Sequence, residues 1–386
     1  MTNKEDQCPQ YKRCNGCQLQ NMTYDQQLRW KEIKVERLLY SFGKINKIKA
    51  MDNPTHYRNK VQAVFRTTVG GKIISGVYQS ATNGIVAVES CMLNNKRGDR
   101  IVVAVRTVMK RLGITTYNPK TDKGFVKHVL VRTAANTGEI MVVLVTATEK
   151  FNQSKHFVKE LLSLYPKITT IVQNVNDNPF KLMLGGKERI LYGNGYIFDN
   201  LCGCKFKISP GSFYQINSVQ TEYLYNKAVE MAKINSDTTV LDAYCGTGTI
   251  GLIAAKHAKN VVGIEISGSA IKDAKENAKL NNRKNAFFYK GDAGKFLEEW
   301  QSDDEKPQVV FMDPPRAGSN RAFLNALVAA APQRIVYISC NPETQQRDLM
   351  FLTEHGGYQV TEIQPVDMFP YTNHVETVVL MSRVEK

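Results

Sequence analysis

VLDAYCGTGTIGLIAA, residues 240–255, is the stretch that decides the fold. An apolar run fit for a buried strand ends in Asp242 and Ala243, a loop with glycines at 246 and 248 follows, and an apolar stretch of helical texture closes the segment. Strand, glycine loop and helix in this order let the backbone approach a ligand and aim a helix N-terminus at it. About 20 residues further on, VVGIEIS (261–267) ends a second strand on Glu265, where a carboxylate can accept both hydroxyls of a ribose. The loop by itself does not separate a dinucleotide from S-adenosylmethionine; an acid at the carboxyl end of the fourth strand, Asp313, favours the latter.

Outward from this segment the same texture repeats. NAFFYKGD (285–292), QVVFMDPP (308–315) and RIVYISC (334–340) are strand-like runs separated by helical stretches. Their β-branched and apolar content suits a parallel sheet covered on both faces. The last segment, YQVTEIQPVDMFPYTNHVETVVLMS (358–382), reads as an antiparallel strand pair at the sheet edge. Residues 205–386 are therefore expected to form an α/β domain of Rossmann-like, class I S-adenosylmethionine-dependent type. MDPPR (312–316) puts Asp313 at the carboxyl end of a central strand, and Pro314-Pro315 stiffens the loop there.

Upstream the pattern changes. NKVQAVFRTTVGGKIISGVYQ (59–79) reads as two alternating strands around Gly70-Gly71, and HVLVRTAANTGEIMVVLVTAT (128–148) repeats this around Asn136-Thr137-Gly138. FVKELLSLY (157–165) reads as a helix ahead of TTIVQNVN (169–176). Residues 51–204 are expected to form an antiparallel α+β central domain. Residues 21–50 hold an amphipathic helix, with Leu28, Ile33 and Leu38 or Leu39 near helical spacing and the catalytic domain as its candidate packing surface.

A chain of 386 residues implies two domains or more. Its 42% apolar and 23% charged residues are ordinary for a globular protein. The polar start, MTNKEDQCPQYKRC, has no apolar core for a signal peptide, and no apolar run reaches the length of a membrane span, so a cytoplasmic location is expected and no membrane partner. The formal net charge of +15 points to an anionic partner, with nucleic acid foremost. A reducing compartment disfavours disulfides, so the eight cysteines need metal, catalytic or packing explanations. Residues 1–20 are cysteine-rich: Cys8, Cys14 and Cys17 form C-x5-C-x2-C, with Cys91 far downstream in VESCML. Four thiolates suit zinc or an iron–sulfur cluster, and the spacing alone does not choose. Cys202 and Cys204 read as two packing thiols on one strand face.

DAYCGTGTIG, MDPPRAG, YISCNPETQQRDL and HVETVVLM, in this order and spacing, resemble the RNA uridine-5-methyltransferase family almost end to end, and SPGSFYQIN (209–217) resembles that family's lead-in. The resemblance implies methylation of uridine C5 with S-adenosylmethionine. Cys340 would be the nucleophile and Glu376 the general base. Gln215, Tyr244, Gly246, Gly248, Glu265 and Asp313 would bind the cofactor. Arg316 is left between two roles, RNA contact and orientation of Asp313, and His374 is a candidate support behind the base. Cys245 reads as a small lining residue.

The same resemblance makes Cys8, Cys14, Cys17 and Cys91 the ligands of a [4Fe–4S] cluster, and with it 23S rRNA the expected substrate of a monomeric, RNA-binding enzyme that flips its target uridine. Many relatives carry a small β-barrel RNA-binding domain before the cysteines; this chain starts seven residues before Cys8 and is expected to lack it. RNA contact would then rest on the basic remainder, and residues 1–60 carry twelve Lys or Arg against six Asp or Glu. A tRNA substrate is the alternative. An exocyclic-amine RNA methyltransferase is disfavoured by DPPR and by Cys340, and a non-catalytic assembly factor by the intact Cys340 and Glu376.

Overall fold

The computed structural model of the chain describes residues 8–79, 82, 84–178, 183–300 and 306–384; the first seven residues of the cysteine-rich segment lie outside these. The chain forms two units. One takes the residues up to Asn21 with Asn53–Asn200 and Lys207–Gly211, and the other takes Met22–Asp52, Leu201–Phe206 and Ser212–Lys386.

In the first unit, α1 (Tyr11–Cys14) is a single turn among the cysteines; α2 (Tyr24–Leu39) belongs to the second unit. Seven strands then form one sheet: β1 (Lys60–Thr67), β2 (Ile73–Tyr78), β3 (Ile85–Ala87), β4 (Val126–Thr133), β5 (Ile140–Thr146), β6 (Thr170–Val175) and β7 (Lys187–Tyr192), in the order 3-2-1-4-5-6-7. Helices α3 (Lys96–Arg111) and α4 (Ser154–Leu164) bury Val105, Val108, Phe157 and Leu161 against Phe65, Val129, Val131 and Leu144. The sheet is mixed, not antiparallel throughout. β5 and β6 run parallel because α4 lies between them in the chain and forms the crossover that parallel strands need. A two-stranded sheet follows, β8 (Ile197–Leu201) and β9 (Cys204–Ile208). Cys202 and Gly203 have φ of 50° and 67°, so they make the turn between these strands. The two cysteines therefore do not share one strand face. Both are buried, the Cys202 thiol donating to Glu222 O at 3.6 Å and the Cys204 thiol to Leu252 O at 3.8 Å.

The second unit continues with α5 (Ser218–Ala232), β10 (Thr239–Ala243), α6 (Thr249–Ala254), β11 (Asn260–Glu265), α7 (Gly268–Leu280), β12 (Ala286–Lys290), α8 (Ala293–Trp300), β13 (Val309–Met312), α9 (Arg321–Ala330), β14 (Arg334–Ser339), α10 (Pro342–Gly356), β15 (Tyr358–Val366) and β16 (Glu376–Arg383). The strand order is 12-11-10-13-14-16-15. β10 to β14 run parallel, and β16 inserts antiparallel between β14 and β15. The chain reverses its direction of travel across the sheet between β10 and β13, and ligands of open α/β sheets bind outside the strand ends at such a point.

α2 starts from a capping box, with Thr23 Oγ1 accepting from Gln26 N and Gln26 Oε1 accepting from Thr23 N. Its fully buried residues are Gln27, Lys31, Val35 and Leu39, one stripe at i+4 spacing. Val35 and Leu39 join Ile335, Leu349 and Val379 in the core of the second unit. The stripe thus differs from the one the leucines suggest: Leu28 and Leu38 are only partly buried at its margin. Lys31 is interior because Asp367 supplies a buried carboxylate to it. Among the described residues, no helix is long and apolar enough to cross a membrane.

Candidate active site

The carboxyl ends of the parallel strands open into a cavity of about 640 Å³ in the second unit. Each strand delivers its part. The loop after β10 brings Tyr244 and Gly246, the end of β11 brings Glu265, the loop after β13 brings Asp313 and Arg316, the residue after β14 is Cys340, and β16 begins with Glu376. Gln215 reaches the same wall from the segment ahead of α5. Gly246 has φ 55° and a Cβ placed on it would meet nothing within 4 Å, so its backbone lies open to the cavity. Gly248 does not line the cavity. Its φ is 79°, and a Cβ there would meet Phe288 ring carbons at 2.7 and 2.8 Å, so glycine is needed there to seat the loop on Phe288.

One end of the cavity is acidic. Glu265 accepts from Gly246 N at 3.2 Å and from Ser267 N at 2.8 Å, which fixes its carboxylate beside the glycine loop. Burial pushes Asp313 up to about 7, and no hydrogen bond reaches it among the described residues. Asp242, behind it, is also pushed up to about 7, chiefly by burial and further by the Asp313 and Glu265 charges, against a bond from Gly251 N at 2.8 Å. Among the described lining residues Arg316 is the one cation. Unpaired buried carboxylates raise the affinity of a site for a positively charged ligand.

The other end holds the thiol. Ser339 ends β14, and Asn341 caps α10 by accepting from Glu343 N at 3.2 Å, with Pro342 at the first helical position. Asn341 N donates to Ser339 Oγ at 3.1 Å. Cys340 is thus held between a strand end and a helix cap. Asn341 Nδ2 and Thr344 Oγ1 both donate to Arg316 O, at 3.1 and 3.2 Å, and tie the Asp313–Arg316 loop to it. Burial pushes the Cys340 thiol up to about 11, with the Glu376 and Asp313 charges adding to the rise and Arg316 opposing it by charge and hydrogen bond. Glu376 is 3% exposed. Burial first, and then the Asp313 charge, push it up to about 8 against the pull of Arg316. Arg316 Nη2 also lies 3.4 Å from His374 Nε2. Arg316 therefore faces the thiol, the carboxylate and the imidazole together.

Several residues with a hold on this site have no role that a motif assigns. The loop 367–375 leads into Glu376 and puts Phe369 in the cavity wall. Lys31 pairs with Asp367 and donates to Phe369 O at 3.0 Å. Tyr24 OH donates to Asp367 Oδ2 at 2.9 Å, and Tyr371 N donates to Gln27 Oε1 at 2.8 Å. Asn217 Nδ2 donates to Met368 O at 2.9 Å. Tyr225 bonds Gln215 and lines the cavity, as does Asp242. Of these, two carry a local signal: Asn217, which closes SPGSFYQIN, and Asp242, an acid at the end of the first parallel strand.

The four N-terminal-unit cysteines Cys8, Cys14, Cys17 and Cys91 are free thiols in one neighbourhood. Burial pushes Cys17 up to about 12, with Cys91, Cys14 and Cys8 adding to the rise and Arg58 opposing it. Cys91 is raised as well, chiefly by burial. Among the described residues, however, no group of three or more His, Cys, Asp or Glu side chains has the arrangement that holds a metal ion. The thiols pack as neighbours and do not form a ligand cage.

A family profile described as tRNA (uracil-5-)-methyltransferase matches residues 23–384. An uncharacterized RNA methyltransferase of Bacillus cereus is 43% identical over 99% of this chain and 84% of its own length. One of Staphylococcus aureus is 42% identical over 97% of this chain and 83% of its own. Among solved structures, the Pyrococcus abyssi tRNA (uracil-54, C5)-methyltransferase in complex with S-adenosyl-L-homocysteine superposes with a TM-score of 0.81 at 29% identity, covering 95% of this chain and 85% of that one.

Proposed function

The chain belongs to the tRNA (uracil-5-)-methyltransferase family, and from that premise we propose that it methylates uridine C5 in 23S rRNA through a covalent bond between Cys340 and uracil C6. The observation that carries the reading is the single cavity shared by Cys340, Glu376, Asp313, Glu265, Gly246, Tyr244 and Gln215. S-adenosylmethionine supplies the methyl group as a positively charged sulfonium. The acidic end of the cavity suits that charge, since Asp313 is half-buried there without a cation of its own. Glu265, fixed beside Gly246, suits a ribose. Gln215, Tyr244, Gly246, Glu265 and Asp313 would hold the cofactor; Gly248 would act only by shaping the loop.

Cys340 acts first. Its thiolate adds to C6, the C5–C6 π electrons move onto C5 and the C4 carbonyl, and C5 becomes nucleophilic enough to take the methyl group, whose bond to the sulfonium sulfur breaks to leave a neutral thioether. Glu376 then removes the proton left on C5, the double bond re-forms, and the Cys340–C6 bond breaks to release the thiolate. Arg316 faces Cys340 and Glu376 both and lowers the cost of the thiolate. The uridine must leave its stack so that the thiol can reach C6 face-on. The enzyme works as a cytoplasmic monomer in this reading.

Support for 23S rRNA over tRNA comes from the four-cysteine pattern. The tRNA reading has its own observation, the tRNA-specific solved neighbour. Mapping 5-methyluridine in 23S rRNA and tRNA from a deletion strain decides between them: the lost modification names the substrate, and no loss in either refutes the reaction.

A [4Fe–4S] cluster on Cys8, Cys14, Cys17 and Cys91 is proposed with it. Four thiols in one neighbourhood beside Arg58 support this donor set, since thiolate ligation suits such a cluster. At Gly16 a Cβ would come within 3.3 Å of Cys14 Sγ, so the glycine leaves that sulfur room. The thiols would have to draw together from the packed arrangement. No step of methyl transfer runs through the cluster. Protein purified without oxygen should be brown, and Cys14→Ser or Cys91→Ser should remove the colour while Cys202→Ser keeps it. Colourless wild-type protein holding zinc would refute it.

A further inference from the structure

We propose that the outer edge of the second unit's sheet, where β12 meets α7, is a docking groove for the substrate RNA. This rests on the functional reading above and adds where the RNA is held away from the reacting uridine. A groove of about 520 Å³ opens between β12 and the C-terminal half of α7. Lys275, Lys279, Arg283 and Lys284 line it, and no carboxylate does. The three lysines are exposed, and among the described residues none has a carboxylate partner. Arg283 Nε is buried in this wall with no hydrogen-bond partner. The α7 macrodipole accounts for Lys279 in its last turn. It does not account for Lys275, which lies before that turn, or for the open pair beyond the helix.

The aromatic side chains complete the pattern. Among the described residues β12 pairs with β11 alone, so its outer edge carries no described strand. Edge strands ordinarily present charge or proline to solvent, whereas β12 presents Phe287 and Tyr289, 43% and 46% exposed. Aromatic faces beside unpaired cations are what a single-stranded nucleic acid needs, one set for bases and one for phosphates. A protein strand pairing with the open edge would leave four cations without partners, so charge complementarity selects RNA. Position agrees. β12 runs from the groove toward the active cavity, whose wall includes the next two residues, Gly291 and Asp292. The last groove residue on β12, Tyr289, is two residues from Gly291, so the groove and the cavity lie roughly 7 Å apart along the strand.

The test is equilibrium binding of an unmodified 23S rRNA transcript over a range of salt. Lys279→Gln combined with Lys284→Gln should make the slope of log K against log salt shallower by about 1.4, at about 0.7 per lost phosphate contact on a single strand. Phe287→Ala should weaken binding about tenfold at every salt concentration and leave the slope alone. In both variants KM for RNA should rise while kcat at saturating RNA, S-adenosylmethionine affinity and melting temperature stay at wild-type values. An unchanged slope in the stable lysine variant overturns the proposal, including the case in which this edge receives a protein strand. Because the slope is read from binding, failure of the wild-type enzyme to methylate RNA would refute the functional reading by itself, while a shallower slope would still support the groove.

Discussion

At the scale of single residues, the order in which Cys340 and Glu376 act can be read from what each variant leaves behind. Glu376→Gln keeps the shape of the side chain and has no useful basicity. It should transfer one methyl group and stall as a protein–RNA adduct that survives denaturing electrophoresis and carries label from the cofactor. Cys340→Ala should form no adduct and transfer no methyl, and the double variant should match it. Normal turnover by Glu376→Gln would remove Glu376 as the base. The pH dependence follows from the same two groups. In the proposed mechanism Glu376 must be ionised to act and is pushed up to about 8, and Cys340 must be a thiolate and is pushed up to about 11. Turnover should therefore climb steadily with pH, close to a hundredfold per unit below about 8, where both groups must lose a proton, and about tenfold per unit from there towards 11, with no acid optimum. A flat profile would refute the assignment. Stability runs the other way. The folded state holds the Glu376 proton up to about 8 against an ordinary 4.5, so between these values the unfolded chain binds fewer protons and stability falls as pH rises. Glu376→Gln should melt a few degrees above wild type at pH 8, and the difference should vanish near pH 4.5.

At the scale of elements, the hold of α2 on the loop 367–375 is the feature that local sequence conceals. Lys31 and Asp367 are both fully buried, and burial pushes Lys31 down while the Asp367 charge pulls it back up. Lys31→Met should cost about 3–5 kcal/mol, because it strands the Asp367 carboxylate in the interior. Adding Asp367→Leu should restore most of that stability, measured by denaturant unfolding. Single-turnover methyl transfer should stay slow in the double variant, since the bond from Lys31 to Phe369 O is still missing; full recovery of the rate would show that the clamp does not position Glu376. The motif residues were legible because parallel strands deliver their C-terminal residues to one crevice, so a strand-ending Glu265, Asp313 or Cys340 carries its own address. The packing of Gly248 on Phe288 was not legible, because a glycine needed for packing looks the same in sequence as one needed beside a ligand. Lys31 and Gln27 could not be read at all. A polar residue on a helix reads as solvent-facing until its partner, more than 300 residues away, is known. The parallel β5–β6 pair was hidden for a similar reason, since strand direction depends on the crossover and not on the strand's own pattern.

At the scale of the whole molecule, a net charge of +15 sets the long-range behaviour. Affinity for RNA should fall by orders of magnitude between about 50 and 200 mM salt, because each phosphate contact releases condensed counterions. Binding that ignores salt, measured by titration at fixed temperature, would show that the charge serves solubility and not the substrate. The second unit also draws its chain from three separate stretches, with α2 near one end and Asp367 near the other. During synthesis α2 emerges long before its partner. The 336 residues that separate Lys31 from Asp367 take about 17–70 s to translate at roughly 5–20 residues per second. Through that interval a lysine destined for the interior stays hydrated, and the apolar stripe of α2 waits for Ile335, Leu349 and Val379, its partners in the core, which all come late in the chain. The catalytic unit is therefore among the last parts of the nascent chain to close, and a ribosome stalled before codon 367 releases a product with its first long helix still undocked.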